Sequence, residues 1–335
     1  MNGRFTRPMR RLASFLAKAT ISALLLYLSL RRVNFGSVGE RLGALNFGWP
    51  VFMLVALCVQ TLLLALRWRE IVGICGARLH LIVGYRYSLI GLFFSQVLPS
   101  TIGGDAARIW LMARGGAGWP MASYSVLIDR VVGVTVLAIL VVVCLPWTLD
   151  LIHDPVASAT LALIGLGTLA GAMGFLALGV PSLRVTERWW LTRQLAVASR
   201  LTWQVCRSAR AGTQAAALSL AIQMITVIVA WAAAMAAHVL VELSQVLLLI
   251  PPVILIATIP VSIAGWGMRE SAMVLAFSYA GLADSDGLII SILLGATTFA
   301  VGAIGGILWI TGGYRWHFGE GHLGPAQHSS ASDYS

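Results

Sequence analysis

Two short segments place charged residues inside long apolar stretches of the sequence, and both follow the same frame. They are residues 99–108 (PSTIGGDAAR) and 260–270 (PVSIAGWGMRE), each with proline first, glycine five residues on and arginine nine residues on. Because proline removes a backbone donor and glycine permits unusual dihedrals, each segment predicts a helix break at membrane depth. Charge at that depth costs a few kcal/mol or more and marks a candidate functional site. A break repeated in two parts of a chain points to a binding site between them.

Composition fixes the class of protein. Of the 335 residues, 59% are hydrophobic and 11% are charged, and the mean hydropathy is +0.86. Since soluble domains carry about 25% charged residues, the sequence predicts an all-α polytopic membrane protein. The net charge of +10 comes mainly from loops, where arginine sets orientation and attracts anionic lipids, so we expect no nucleic-acid partner. The four cysteines show no C-x-x-C pairing, which argues against a disulfide framework or a zinc site.

Apolar runs near the length of a bilayer crossing recur along the chain. They predict about six full spans, at residues 14–31, 49–66, 124–147, 156–180, 214–237 and 288–311, and two re-entrant hairpins, at 85–113 and 243–280. The first run resembles a signal peptide, but no small-residue cleavage site follows it, so we expect an uncleaved helix. Trp49 and Trp68 are predicted to anchor the second span at the two interfaces. We expect one transmembrane domain over residues 1–317 and a disordered polar tail over 318–335.

The distribution of arginine predicts the orientation of these spans. The basic N-terminus and the basic, amphipathic segment 181–212 belong in the cytoplasm, whereas the acidic connections near Asp150 and Asp284 belong outside. The chain must then enter and leave the membrane on the same face at each broken segment. Residues 49–147 and 214–311 therefore form an inverted repeat of span, hairpin and span. We expect a bacterial inner-membrane protein with both termini in the cytoplasm.

The charged residues in and near the two segments have two interpretations. In the first, the charges neutralise one another and hold the broken helices together. In the second, a lipid phosphate binds Arg108, Arg130 and Arg269, since guanidinium groups match phosphate bidentately. The candidate residues that orient these arginines or add contacts to the substrate are Asp105, Asp129, Glu270, Ser100 and Ser262.

The helix breaks themselves are assigned to Pro99, Gly103, Gly104, Pro260, Gly265 and Gly267. If a helix resumes after the first break, Asp105 and Arg108 are three residues apart on it and should face each other. Amide groups at the start of the helix after the second break are candidates for binding an anion.

Other motifs are few. The sequence contains no Walker motif, nucleophile elbow, dinucleotide fingerprint or metal-ligand spacing, so we expect no cofactor, no metal and no catalytic residues. Two GxxxG patterns, at residues 167–171 and 302–306, allow close approach of helices. Packing within the chain and association into a homodimer both remain open for these patterns.

At its two broken segments the sequence resembles the lysylphosphatidylglycerol synthase transmembrane family, also described as flippase-like membrane proteins. The resemblance covers about residues 12–312 and rests on Pro99-Ser100 with Gly103-Gly104-Asp105 and Arg108, on Asp129-Arg130, and on Pro260-x-Ser262 with Gly265-x-Gly267-x-Arg269-Glu270. Asp129 departs modestly from the family pattern, in which glutamate is common.

This resemblance implies handling of a lipid. In larger family members such a membrane domain moves an aminoacylated phospholipid between leaflets, and a C-terminal soluble domain makes that lipid. Because the chain ends shortly after its last predicted span, we expect a stand-alone member without the synthase domain. Aminoacyl transfer is therefore not carried over.

The leading interpretation is an inner-membrane translocator, without catalysis of its own, that moves a phospholipid or lipid-linked headgroup through a polar cleft between the hairpins. The second is a membrane enzyme or enzyme subunit that modifies an envelope lipid, for which Asp105 and Glu270 are the plausible reactive groups. The third is a scaffold for envelope-lipid synthesis, in which neutralising the buried charges in matched pairs leaves function intact.

Overall fold

A computed structural model describes residues 46, 48–98, 102–152, 154–179, 190–258 and 267–312. Within these residues every regular element is a helix, which confirms the all-α prediction. The helices are α1 (Gly48–Ile74), α2 (Leu81–Val97), α3 (Ile102–Met112), α4 (Trp119–Leu151), α5 (Pro155–Ala177), α6 (Trp190–Arg207), α7 (Ala209–Ala236), α8 (Leu243–Ala257), α9 (Met268–Tyr279) and α10 (Asp284–Thr311). A single π-helical turn, Ala113–Ala117, joins α3 to the start of α4.

Five of these helices, α1, α4, α5, α7 and α10, are long and apolar enough to cross a membrane. They match five of the six predicted full spans and confirm a multi-pass membrane protein. The sixth, at residues 14–31, lies outside the described residues, as does the tail at 318–335. Helices α2 and α8, with 17 and 15 residues, are shorter than the about 20 residues of a typical crossing, and each is followed by a second short helix, as predicted for the hairpins.

The order long, short, short, long occurs twice, first in α1–α4 and again in α7–α10, which are called here the first half and the second half. The corresponding helices α1 and α7 pack against each other. Along their contact Asn46 N donates to Ala236 O, Gln60 Nε2 donates to Thr226 Oγ1, and Arg67 Nη1 donates to Ser219 Oγ. Because the residue numbers rise on α1 as they fall on α7, the two helices run antiparallel. This pair of equivalent helices therefore points in opposite directions, as the predicted inverted repeat requires.

The contacts between the halves are also reciprocal. The second helix of each half packs on the fourth helix of the other, since α2 packs on α10 and α8 packs on α4. Glycine permits the closest of these approaches. A Cβ atom on Gly305 of α10 would overlap the carbonyl group of Leu89 on α2, and one on Gly306 would overlap the Phe93 ring. The 302–306 pattern therefore packs within the chain. Around Gly167 and Gly171 of α5, a Cβ atom would meet nothing within 4 Å.

The two ends of the bundle differ in charge. One end carries Arg78, Arg114, Arg207 and Arg210. There the α1–α2 connection lies beside the π-helical turn, and α6 packs its apolar face on α1 and α4 through residues such as Val205. At the other end lie the α4–α5, α7–α8 and α9–α10 connections. Among the Asp, Glu, Lys and Arg residues described in or directly beside them, all are carboxylates: Asp150, Asp154, Glu242, Asp284 and Asp286. These are called below the basic end and the acidic end.

Candidate functional site

A cavity of about 570 Å³ lies between the two halves. Gln60 of α1 contributes to its wall and is 12 residues from Gly48 and 14 from Ile74, which places it about 18 and 21 Å from the two ends of that helix. The cavity is therefore near the middle of the bundle. Both broken segments reach it, because Asp105 of the first half and Arg269 of the second half line the same wall, together with Arg130.

Beside this cavity in the first half lies a buried carboxylate held by two arginines. Arg67 Nε donates to Asp129 Oδ1 at 2.8 Å, and Arg108 Nη2 donates to Asp129 Oδ2 at 3.0 Å. The three side chains are at most 5% exposed. Arg67 also donates from Nη1 to Ser219 Oγ of α7 at 2.8 Å. These contacts tie α1, α3, α4 and α7 together at a point where the two halves meet.

Trp68 is part of this cluster, which makes its predicted role as an interfacial anchor wrong. The ring is fully buried, and the guanidinium carbon of Arg108 lies 4.1 Å from its centroid, a cation–π contact. The indole Nε1 donates to Ser125 Oγ of α4 at 3.2 Å. The reason for the error is that α1 continues to Ile74, whereas the predicted span ends at Leu66.

Asp105 and Arg130 form the part of the first-half cluster that faces the cavity. Arg130 Nε donates to Asp105 Oδ2 at 2.7 Å, and Arg108 Nη1 lies 3.8 Å from Asp105 Oδ1. The predicted facing of Asp105 and Arg108 on one helix is thus confirmed. The side chain of Arg130 is 48% exposed, against 17% for Asp105 and 5% for Arg108. Arg130 is accordingly the first-half arginine that a molecule in the cavity can reach.

In the second half a carboxylate also holds the arginine. Arg269 Nη2 donates to Glu270 Oε1 at 2.7 Å, Arg269 Nε donates to Ser291 Oγ at 3.0 Å, and Ser291 Oγ donates to Glu270 Oε1 at 3.1 Å. Glu270 is 1% exposed and Arg269 is 17% exposed. The backbone N–H of Gly267, whose φ is 86°, donates to Glu270 Oε2 at 2.6 Å. This amide, one of those predicted to be available to an anion, is therefore occupied by the protein's own carboxylate.

The structure divides the predicted site residues into three groups. Asp105, Arg130 and Arg269 line the cavity, and Arg108, Asp129 and Glu270 are buried behind it. Pro99, Ser100, Pro260, Ser262 and Gly265 lie outside the described residues.

Of the predicted helix-break glycines, Gly103 and Gly104 lie in the first turn of α3, where a Cβ on Gly104 would overlap the Gly91 carbonyl of α2. Gly267 is the residue immediately before α9 and has a left-handed φ. These positions explain why glycine is needed where the broken helices pack closely or resume.

Two polar partners were missed by sequence reasoning. Arg67 follows the predicted span at residues 49–66, and without it the first-half candidate residues are two arginines, Arg108 and Arg130, against two aspartates, Asp105 and Asp129. With Arg67 included, the described first-half cluster has three arginines and two aspartates, and the Arg269–Glu270 pair is neutral. Ser291 carried no signal, since serine is common in apolar helices and only the fold brings it to Arg269.

A family profile for the lysylphosphatidylglycerol synthase TM region matches residues 15–306. A comparison with functionally curated proteins gives no significant match. The profile covers all ten described helices almost to the end of α10 and includes both broken segments, the cavity and the arginine clusters. The chain therefore belongs to the family of the lysylphosphatidylglycerol synthase transmembrane region.

Proposed function

We propose that this protein moves a phosphate-bearing lipid between the leaflets of the membrane, with the headgroup passing through the cavity while the acyl chains stay in the bilayer. The observation that carries the proposal is the cavity at mid-depth, which is lined by arginines from both halves, Arg130 and Arg269. Membership in a family named for a lipid synthase fits a substrate that is a lipid.

The arrangement suits a phosphate for physical reasons. A headgroup that crosses the bilayer must exchange its water shell for polar contacts, and charged or polar groups at that depth supply them only within a protected cavity. A guanidinium carries five N–H donors, and the contact from Arg130 to Asp105 uses only the one on Nε. Arg130 is therefore placed to donate two parallel hydrogen bonds to a phosphate. The cavity volume falls in the range of small-molecule pockets, which is suitable for a headgroup.

The proposal assigns different roles to the predicted residues. Arg130 and Arg269 contact the phosphate, and Asp105 positions Arg130. Arg108, Asp129 and Glu270 hold the broken helices in place, since each is buried among its own partners. Phosphate binding is thus assigned to the residues that line the cavity, and mutual neutralisation to the residues buried behind it.

We further propose that the protein carries out no covalent chemistry of its own. An enzyme that modifies a lipid would need a free base or nucleophile at the cavity. Asp105 Oδ2 accepts from Arg130, and Asp105 Oδ1 is buried out of reach of the cavity; Glu270 accepts from Arg269, Ser291 and the Gly267 amide. Neither carboxylate is placed as a free base, which favours translocation over the enzyme alternative.

Leaflet exchange of fluorescent phospholipids in proteoliposomes tests this function. Purified protein is expected to let a membrane-impermeant quencher reach nearly all of the labelled lipid, whereas protein-free liposomes protect the inner half. A matched preparation of an unrelated polytopic protein controls for bilayer defects. Exchange no faster than in that control, for all headgroups supplied, would count against translocation and in favour of a scaffold or an enzyme subunit.

We propose that the basic end faces the cytoplasm of a bacterium and that the protein resides in the inner membrane. In the described part of the chain, every arginine outside the cavity clusters lies at or near the basic end, in agreement with the positive-inside rule. The side chain of Leu240, in the connection at the acidic end, is 94% exposed, and Arg207 is exposed at the basic end. These two positions are suitable for a labelling test.

In a background without native cysteines, Leu240→Cys should react with an impermeant maleimide added to intact spheroplasts, and Arg207→Cys should react only after lysis. The two variants control each other, because both are exposed in the folded protein. The opposite pattern would reverse the proposed orientation.

A further inference from the structure

The cavity wall presents hydrogen-bond acceptors. The wall combines apolar side chains with hydroxyls and amides from both halves, the latter chiefly Gln60, Ser95, Gln96, Thr226, Thr258 and Thr298. Each of the four hydroxyls donates to a backbone carbonyl of its own helix; Thr298 Oγ1, for example, donates to Leu294 O at 2.7 Å. A hydroxyl has one donor and two acceptor lone pairs. Because the donor is used within the helix, these groups offer acceptors to a molecule in the cavity.

Two kinds of donor group on a ligand can bind such acceptors, hydroxyl groups and ammonium groups. The charge of the side chains around the cavity distinguishes between these two. The described clusters around the cavity carry one more arginine than carboxylates. The carboxylate that lines the cavity, Asp105, accepts from Arg130 through Oδ2. Its Oδ1 has no hydrogen-bond partner among the described residues, but it is buried away from the cavity, with Arg108 Nη1 at 3.8 Å. None of the described lining residues is aromatic. An ammonium group would therefore find neither a free carboxylate nor an aromatic face here.

We infer that the substrate headgroup is an anionic phosphodiester that bears hydroxyl groups and no ammonium. The phosphate carries the charge that the excess arginine requires, and the polyol or sugar portion donates to the hydroxyl and amide oxygens of the wall. This inference rests on the proposed function and adds a selectivity to it. A zwitterionic or cationic headgroup is disfavoured by the same charge.

Three labelled lipids with identical acyl chains separate the two parts of this inference. Phosphatidylglycerol is anionic and has hydroxyls, phosphatidylethanol is anionic and lacks them, and phosphatidylethanolamine replaces the hydroxyl with an ammonium. We expect leaflet exchange of phosphatidylglycerol to be about 3- to 10-fold faster than that of phosphatidylethanol, the effect of one or two neutral hydrogen bonds. Phosphatidylethanolamine should be slower than phosphatidylglycerol by more than tenfold.

The contribution of the wall is tested by Thr298→Val, which keeps the shape of the side chain and removes its acceptor. The ratio of phosphatidylglycerol to phosphatidylethanol exchange should fall by about threefold. Thr160→Val is the matched control, because Thr160 makes the same bond to its own helix but is exposed on α5, away from the cavity. A ratio that falls equally in both variants would overturn the assignment of the hydroxyl wall.

The outcomes distinguish this inference from the proposed function. Equal exchange of all three lipids, or fastest exchange of phosphatidylethanolamine, overturns the selectivity and leaves translocation standing. No exchange of any of them overturns translocation itself. A soluble phosphate ester shares the same chemistry, so uptake of labelled glycerol 3-phosphate is measured in the same vesicles. Uptake of that ester without lipid exchange assigns the cavity to a soluble ligand and overturns both.

Discussion

Replacing Asp129 with asparagine is expected to lower the free energy of unfolding by about 3–5 kcal/mol, the cost of breaking a buried ion pair by removing one partner. The carboxylate is 1% exposed and compensates both Arg67 and Arg108, whose side chains are 5% exposed. Asparagine has nearly the same shape, so the change isolates the charge. The measurement is denaturant-induced or thermal unfolding of the purified protein in detergent micelles.

Glu70→Gln is the control for this prediction. Glu70 accepts from Arg69 Nη2 at 2.8 Å, but the two side chains are 31% and 40% exposed. An exposed ion pair contributes about 0–1 kcal/mol, so this variant should unfold almost as the unmodified protein does. Equal stability of the Asp129 and Glu70 variants would show that the Asp129 cluster does not hold the helices together.

The long apolar helices and the inverted repeat were predictable because a bilayer imposes length and hydrophobicity on each crossing and arginine marks one face. At each broken segment the connections before and after it are predicted on the same face of the membrane. The chain must therefore turn back inside the membrane at both segments, where the helix-breaking residues lie. These are local or one-dimensional signals. The end of α1 was not predictable in the same way, because the polar residues after Leu66 suggest a loop, whereas the fold buries Arg67 and Trp68 against α4.

The cavity-facing part of the site was only partly predictable for a geometric reason. Asp105 and Arg108 are three residues apart, and helical spacing alone predicts their contact. Asp129 and Arg130 are neighbours in sequence and were treated as one pair. Successive residues on a helix point about 100° apart, however. Asp129 faces Arg67 and Arg108 inside the bundle, while Arg130 faces Asp105 and the cavity.

The two halves also use their equivalent arginines differently, which the shared frame of the two segments does not reveal. In the first half the carboxylate for Arg108 comes from α4, through Asp129. In the second half Arg269 donates to the carboxylate of the adjacent Glu270, and α10 contributes the hydroxyl of Ser291. Because Arg67 shares Asp129 with Arg108, the described first-half cluster has three arginines for two aspartates, and the excess positive charge lies in the first half. The phosphate site is expected to be asymmetric, with Arg130 as its main charged contact.

Replacing Arg130 with glutamine is therefore expected to slow leaflet exchange of phosphatidylglycerol by at least about tenfold, since a hydrogen bond to a charged group is worth about 1.5–3 kcal/mol. The loss should come with little change in unfolding, because the side chain is 48% exposed and its partner Asp105 retains Arg108 at 3.8 Å. Arg200→Gln, on the exposed side of α6, removes an arginine away from the cavity and should exchange lipid normally.

The double variant Arg130→Gln with Asp105→Asn decides between the two interpretations of the pair. It removes both charges and leaves no unmatched partner, so a purely structural ion pair would be replaced without loss and exchange would recover. If Arg130 binds the phosphate, lipid exchange stays as slow as in the Arg130→Gln variant, because neutralising Asp105 does not return to the cavity a guanidinium that can donate two parallel hydrogen bonds. Recovery in the double variant would remove Arg130 from the phosphate site and leave Arg269 as the remaining arginine of the described cavity wall.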